Sequence, residues 1–330
     1  MREVTFINRN RNRWQDFEKR ISDPRRMKPD ELADHYIQLT DDLSYARTFY
    51  PGSSVVQYLN SLSSKAYHLI YQNKREKSTR LGTFWTRELP LALYDARSSF
   101  LLSLIIFVVS MLIGMASAME NNDFARLVMG DEYINRTLDN IERGDPLAIY
   151  GSMDEVPMFL MITGNNIYVS FVVFLFGLLT PLGTAFHLFR NGLMVGVFQT
   201  FFFQHSLLSV SSLGIYLHGT LELSAIVLAG GAGIVLGKSL LFPGTLHRKT
   251  AFMNGVKKGT KIMLGLVPFF IIAGFIESFV TRYYNQMPLT VNLLIIILSL
   301  ALILGYFVYY PFYIHKQLTQ KELNDEQAGN

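Results

Sequence analysis

The hydrophobic residues of this chain are gathered into long blocks with few charges, and polar residues are concentrated before and between these blocks. A helix of about 20 residues crosses the ~30 Å hydrocarbon layer of a bilayer, and most of the blocks reach that length. The pattern therefore predicts an all-α protein, a polytopic transmembrane helical bundle of about six spans. The predicted spans are Ser98–Met119, Ile167–Phe189, a shorter apolar segment within 191–211, Gly214–Phe242, Ile262–Thr281 and Leu289–Ile314.

Residues 1–97 have a different pattern, in which apolar side chains recur at helical spacing among charged ones. Pro24 and Pro51 separate the segments, because proline interrupts a helix. We therefore predict a small helical bundle in this region. Its last segment, FWTRELPLALYDARSSF from Phe84, mixes aromatic and charged residues and predicts an interfacial elbow helix that lies on the membrane. The polar tail 316–330 is predicted to be disordered.

The uneven distribution of basic residues predicts the orientation in the membrane. Of the 30 Lys and Arg residues, 17 precede Ser98, and six more lie in the segment Lys238–Lys261, which has no Asp or Glu. The positive-inside rule places both segments in the cytoplasm. Segment 191–211 must then cross the membrane, which gives six spans with both termini cytoplasmic. Residues 120–164 hold nine Asp or Glu against three Arg and form the predicted acidic outer loop.

These patterns divide the chain into a basic cytoplasmic helical bundle with its elbow helix at 1–97, a transmembrane domain at 98–315 and a disordered cytoplasmic tail at 316–330. Only 17% of the residues are charged, against about a quarter in soluble domains. Cysteine is absent, which excludes disulfides and thiolate metal sites. Acidic residues are interleaved with the basic ones before Ser98, and this favours a cytoplasmic flank over a nucleic-acid site.

Polar side chains within the predicted spans are the candidates for function, because burying them in a bilayer is costly. His218 and Glu222 are four residues apart and therefore share one face of a helix. They form either a structural pair that sets helix register, or a metal or proton site. The candidate functional intramembrane polar residues are Asn165, Asn166, Thr180, Thr184, Asn191, Gln199, His218 and Glu222.

Small residues on the faces of the predicted spans indicate close helix packing. In the second predicted span, Gly177, Thr184 and Asn191 fall on one face at 100° per residue. Small residues also continue the face that carries His218 and Glu222. The predicted helix-packing residues are Gly177, Gly192, Gly196, Ala225, Ala229 and Gly233.

A metal ion would need ligands in addition to His218 and Glu222. Only His205 and Glu277 lie at a similar depth in the predicted spans. The spacing of His218 and Glu222 is not that of the HExxH metalloprotease motif. We therefore expect no catalytic residue, no bound metal and no cofactor.

Three stretches, ITGNNIYVSF, FGLLTPLGTAFHLFRNGLMVGV and HGTLELSAIVLAGGAGIVLG, together resemble the stage II sporulation protein M family. Trp14 and the later stretch DDLSYARTFYPGSSVVQYLNSLSSKAYHLIY are similar to the N-terminal pattern of that family. The resemblance implies a membrane anchor of a complex with peptidoglycan-degrading enzymes, the role of the namesake in engulfment during endospore formation. The long N-terminal region resembles the relatives from bacteria that form no spores.

The leading hypothesis is a membrane scaffold or anchor of the bacterial cell envelope, located in the inner (plasma) membrane. Its expected partners are the lipid bilayer, envelope proteins including cell-wall hydrolases, and further copies of the chain, but no nucleic acid. The alternative is a transporter or channel-like protein whose polar path runs through spans two to four, lined by Asn166, Thr180, Gln199, His218 and Glu222. An intramembrane hydrolase that uses His218 and Glu222 is the least favoured class.

Overall fold

The computed structural model describes residues 2–21, 29–72, 80–121, 123–151 and 153–328. These ranges are almost entirely helical, and they contain no β-strand, which confirms the predicted fold class. The chain divides into two compact units, Met1–Leu81 and Gly82–Asn330. We call the first the N-terminal bundle and the second the membrane unit.

The described part of the N-terminal bundle has three helices, α1 (Glu3–Ile21), α2 (Pro29–Phe49) and α3 (Ser54–Gln72). They enclose a hydrophobic core, because each helix has apolar residues along one face. The Trp14 indole Nε1 donates a hydrogen bond to Asp42 Oδ2 at 2.8 Å, which links α1 to α2. The buried core residues are Phe6, Trp14, Phe17, Leu32, Leu39, Leu43, Ala46, Val55, Leu59, Leu62 and Ala66.

The membrane unit is built mainly from long apolar helices. In the described residues, five helices are long and apolar enough to cross a membrane. In chain order, the helices are α4 (Leu81–Glu120), α5 (Asp123–Met129), α6 (Asp131–Glu142), α7 (Glu155–Leu178), α8 (Pro181–Gln204), α9 (Leu208–Leu241), α10 (Arg248–Tyr283) and α11 (Leu289–Lys321); the five are α4, α7, α9, α10 and α11.

Helix α8 corresponds to the short third span predicted within 191–211, but it begins ten residues earlier and ends at Gln204. Its 24 residues correspond to about 36 Å, so the helix is long enough to cross a bilayer. It is less apolar than the five helices because it carries His187, Arg190 and Asn191.

Helix α8 packs lengthwise between α4 and α9. Gly192 lies against the backbone of Phe107, and the Gln204 Nε2 amide donates to the Ala118 carbonyl at 3.0 Å, so α8 and α4 run in the same direction. The start of α8 packs against Gly237, near the end of α9, so these two helices are antiparallel. Helix α8 is therefore a sixth long helix of the unit.

The predicted second span, Ile167–Phe189, is wrong in its limits. Helix α7 starts at Glu155 and ends at Leu178, and α8 starts at Pro181. Proline starts a helix well, and it disfavours helical geometry in the residue before it. Thr180 is accordingly not helical, and its hydroxyl oxygen accepts a hydrogen bond from the Leu182 amide at 3.3 Å. Its φ of 142° is positive, which the following proline does not by itself explain. The chain reverses direction at this point. Hydropathy does not reveal the helix end, because apolar residues continue on both sides of it.

The face predicted for Gly177, Thr184 and Asn191 consequently does not exist, because these residues belong to two helices. The predicted elbow segment from Phe84 is helical and continuous with α4. The predicted disorder of the tail is also wrong, since helical structure continues to Ala328. The tail is rich in Lys, Gln, Leu and Glu, which favour a helix that is already formed.

The acidic segment predicted as an outer loop folds onto one end of the membrane unit. Helices α5 and α6 bury Ala125 and Ile134 against Phe201 and Phe202 of α8. The acidic side chains remain on the outer faces of these amphipathic helices, because only their apolar faces can bury surface favourably. We call this end, which carries α5 and α6, the acidic end.

Candidate functional site

The middle of α9 is the most closely packed part of the membrane unit. Ala225 and Ala229 are fully buried. A Cβ atom on Gly177 would clash with the Gly233 carbonyl oxygen, so α7 and α9 meet there almost backbone to backbone, and a Cβ atom on Gly233 would lie 2.5 Å from Thr184 Oγ1 of α8. The Thr184 hydroxyl is itself engaged, since it donates to the Val173 carbonyl at 3.0 Å. Small residues along α9 therefore permit the approach of α7 and α8.

Three polar side chains meet nearer to the acidic end. His218 and Glu222 of α9 lie beside Glu277 of α10, and one possible ligand atom from each residue lies within 4.8 Å of the others. His218 Nε2 lies 3.8 Å from Glu277 Oε1. We call these three residues the His–Glu cluster. All three side chains are buried or nearly so, although the two carboxylates retain slight exposure.

The backbone of α10 changes its winding at Glu277. Residues Ile276–Val280 form a π-helical turn, which is followed by a 3-10 turn at Thr281–Tyr283. Such single π turns within α-helices occur frequently at functional sites. This change of winding lets Glu277 and Thr281 both reach His218.

Thr281 determines which nitrogen of His218 faces the carboxylates. The Thr281 hydroxyl lies 3.1 Å from His218 Nδ1 and 3.2 Å from the Ile276 carbonyl, to which it donates. Because that donation uses the hydroxyl proton, the Thr281 oxygen accepts from Nδ1–H. The Nε2 lone pair of the neutral ring then points towards Glu277.

A cavity of about 320 Å³ adjoins the cluster. His218, Glu222 and Gln199 line it together with apolar residues of α8 and α9. Helices α5 and α6 contribute Tyr133 and two neighbouring apolar side chains on the acidic side. Burial raises the pKa of the Tyr133 phenol to about 12, so this hydroxyl remains neutral.

Several buried amide groups near the cluster lack hydrogen-bond partners. The Asn166 amide of α7 interacts with the Glu222 carboxyl, but its Nδ2 is outside hydrogen-bonding geometry. Both polar atoms of the Gln199 side chain are unsatisfied, as is the hydroxyl of Ser278. Unsatisfied buried polar groups are uncommon and costly, so the two amides beside the cluster require an explanation.

Two family models match the chain. The model described as stage II sporulation protein M matches residues 103–282, more than half of the chain. The chain belongs to the stage II sporulation protein M family. A second model, a domain of unknown function (DUF8413), matches residues 4–72, which correspond to the N-terminal bundle. Neither the curated proteins nor the solved structures give a match.

The match confirms the resemblance to the stage II sporulation protein M family that the sequence indicated, and it confirms a multi-pass membrane protein of that family. The matched part of the chain contains the complete His–Glu cluster. It also contains the amide side chains Asn166 and Gln199 that lie beside the cluster.

Half of the polar residues selected from the sequence come together in this member of the stage II sporulation protein M family. His218 and Glu222 belong to the cluster, and Asn166 and Gln199 lie beside it. Glu277 joins them, although the sequence analysis considered it only as a residue of similar depth. Its proximity depends on the fold of α10 against α9, which no local pattern of the sequence reveals.

The other selected residues have separate, local contacts. Asn165 is exposed on α7. Thr180 caps α8, and Thr184 is part of the close contact with Gly233. The Asn191 amide donates to the His187 carbonyl, one turn earlier in its own helix, at 2.8 Å.

Proposed function

We propose that this protein is a membrane anchor of the bacterial cell envelope, which holds its N-terminal bundle at the inner (plasma) membrane and gathers envelope partners. The observation that carries the proposal is the combination of two compact units, each matched by its own family model. The described helices of the bundle share a core of 11 buried hydrophobic residues. A unit that folds around its own core does not need its outer surface for folding, so that surface is available to partners.

The partners that we propose include cell-wall hydrolases at the acidic end. Helix α6 presents Asp131, Glu132 and Asp139 on an exposed surface. This surface is attached to the rest of the membrane unit by the packing of apolar side chains, so it is held in a defined shape. The namesake of the family anchors peptidoglycan-degrading enzymes, and this supports the same class of partner.

The anchor model predicts a loss of partners when the bundle core is damaged. Trp14→Ala should unfold the bundle, because deletion of a buried tryptophan side chain costs about 3–5 kcal/mol. Trp85→Ala, at the only other tryptophan of the chain, is the matched control within α4. Chemical crosslinking and pull-down from native membranes should recover cytoplasmic partners with the wild type and Trp85→Ala, but not with Trp14→Ala.

Membrane abundance of all three proteins is measured in parallel, so that lost insertion is distinguished from lost binding. Recovery of the same partners with Trp14→Ala would show that the bundle does not hold them. Recovery of only further copies of the chain would contradict the anchor proposal.

We also propose that both termini are cytoplasmic and that the acidic end is external. Because the chain has no cysteine, single cysteines can report sidedness without background. Asp139 and Lys257 are both exposed, so accessibility does not bias the comparison. An impermeant maleimide should label Asp139→Cys in intact cells, and it should label Lys257→Cys only after permeabilisation. Labelling of Lys257→Cys in intact cells would contradict this orientation.

The second candidate function is transport, and the cavity beside His218, Glu222 and Gln199 is the observation that favours it. This cavity provides a binding volume on the side of the acidic end. Towards the other end of α9, Gly233 and Gly237 are in close contact with α7 and α8. Solute passage by the purified protein in liposomes would support this candidate over the anchor.

A further inference from the structure

The His–Glu cluster brings three electron-pair acceptors close together. Thr281 leaves the Nε2 lone pair of His218 facing Glu277, with the Glu222 carboxyl within the same 4.8 Å. Three acceptors at this separation repel one another in a low-dielectric interior. A proton can bridge two of them, whereas one metal ion can bridge all three.

The nearby positive charges are engaged elsewhere. Among the described residues that line the cavity, none is Lys or Arg. Arg282 follows Glu277 by five positions, but its guanidinium donates to Glu155 at 2.7 Å and to the Met153 carbonyl at 3.0 Å. Two carboxyl groups share the site with a neutral imidazole, and a divalent cation would balance the charge that they carry when its binding releases their protons.

We propose that His218, Glu222 and Glu277 bind one divalent transition-metal ion of the zinc type. Imidazole nitrogen and carboxylate oxygen are the ligands that such ions prefer, and imidazole disfavours calcium and magnesium. This site is independent of the anchor role, and nothing in the anchor proposal requires it.

The distances fit an ion after a small adjustment. A tetrahedral ion with bonds of about 2.0–2.2 Å holds its ligand atoms about 3.3–3.6 Å apart. The separation of His218 Nε2 and Glu277 Oε1 is 3.8 Å, and the whole set lies within 4.8 Å. Rotation of the two carboxylates closes this difference of about an ångström without moving the helices.

The surroundings have the features of a second shell. Metal-bound histidines usually donate their other ring N–H to an acceptor that fixes the tautomer, and Thr281 occupies that position. Asn166 is 7% exposed, interacts with Glu222 and has an unsatisfied Nδ2. Gln199 is 4% exposed, and both its polar atoms lack partners beside the same cavity.

These orphan amides are a second observation that points to a ligand. Three protein ligands leave a fourth coordination position, which in open zinc sites holds water. The cavity next to His218 and Glu222 provides that position, and a metal-bound water would give Gln199 a partner. A His–Glu contact that only stabilised the fold would explain neither the cavity nor the unsatisfied Gln199 amide.

The test measures metal binding by the untagged full-length protein in detergent. The protein is stripped with EDTA, dialysed and titrated with Zn²⁺, and bound metal is counted by mass spectrometry. We expect one tightly bound ion per chain. Glu222→Gln, Glu277→Gln and His218→Gln should each weaken binding at least about 100-fold, because loss of a ligand should cost at least as much as loss of an outer-shell partner.

The matched controls carry the same chemical changes outside the cluster. Glu132→Gln lies on the exposed face of α6, and His205→Gln lies at the exposed end of α8. Both should retain wild-type binding. Thr281→Val should weaken binding about 10- to 100-fold, as expected for a residue that only positions the imidazole.

The difference in thermal midpoint between Glu277→Gln and the wild type gives a second readout, and its sign should change when metal is added. In EDTA, Glu277→Gln should unfold at a higher temperature than the wild type, because it removes repulsion between adjacent carboxylates. With saturating Zn²⁺ the order should reverse, because only the wild type gains binding free energy. If Glu277→Gln is the more stable protein under both conditions, the carboxylates share a proton and the metal proposal is wrong.

Binding of Co²⁺ to the wild-type protein provides a readout that requires no variant. Co²⁺ in a site of one imidazole and two carboxylates with an open position should give the visible absorption of a four- or five-coordinate ion. Stoichiometric Zn²⁺ should abolish that absorption. Absence of both the Co²⁺ spectrum and saturable one-to-one Zn²⁺ binding in the wild type would overturn the proposal, while leaving the anchor proposal untouched.

Discussion

Gly233→Leu should prevent the membrane unit from reaching its folded state. A Cβ at this position would lie 2.5 Å from Thr184 Oγ1 and 3.0 Å from the Val173 carbonyl oxygen, and leucine adds three further carbon atoms. Thr184 cannot simply turn away, because its hydroxyl donates to that same carbonyl. Overpacking of a close contact costs about 1–3 kcal/mol of stability. Because the leucine would meet backbone atoms, we expect the cost of Gly233→Leu at or above the upper limit of that range.

The measurement is thermostability in detergent, followed by fluorescence-detected size-exclusion chromatography. Gly164→Leu is the matched control, since Gly164 lies in the helical interior of α7, is exposed and has no atom within 4 Å of its Cβ position. We expect near-normal stability for Gly164→Leu and aggregated or absent protein for Gly233→Leu. Equal stability of the two variants would show that α9 does not pack through Gly233.

Arg282→Met should produce the second large loss of stability. The Arg282 side chain is 11% exposed, and it ties the end of α10 to the start of α7 through Glu155 at 2.7 Å. Its removal leaves the Glu155 carboxylate without its cation and the Met153 carbonyl without a donor. A fully buried pair broken in this way loses about 3–5 kcal/mol, and the 38% exposure of Glu155 reduces the expectation to about 1–3 kcal/mol.

An exposed ion pair of the same chemistry provides the control. Arg136 contacts Glu132 at 3.0 Å within α6, but the two side chains are 61% and 88% exposed. Arg136→Met should change the unfolding free energy by about 0.5 kcal/mol or less. Glu155→Gln combined with Arg282→Met should recover part of the loss, because no uncompensated carboxylate then remains. A shift for Arg282→Met no larger than that for Arg136→Met would contradict the role given to this pair.

The error at the second predicted span shows a limit of hydropathy. Apolar residues continue across Leu178 and Pro181, so a window of about 20 residues can be placed over the turn itself. Proline is tolerated inside membrane helices, and its presence therefore did not require a break. The reversal at Thr180 follows from the tertiary packing, in which α8 lies beside α4 and runs in the same direction as that helix.

The candidate site was predicted in part. The spacing of His218 and Glu222 is a local property, because residues four apart share a helix face whatever surrounds them. Glu277 is 55 positions beyond Glu222, and it reaches the site through an antiparallel contact and a π-helical turn. Asn166 comes from a third helix and Gln199 from a fourth.

The sequence by itself determined the all-α membrane class, the separate N-terminal bundle and the family, because these depend on composition, periodicity and local motifs. It also determined that polar residues are buried within apolar helices. Only the tertiary structure decided where α7 ends and α8 begins, and which polar residues meet. The physical reason is that close backbone approach at glycine, and the assembly of ligands from different helices, depend on packing between segments far apart in the chain.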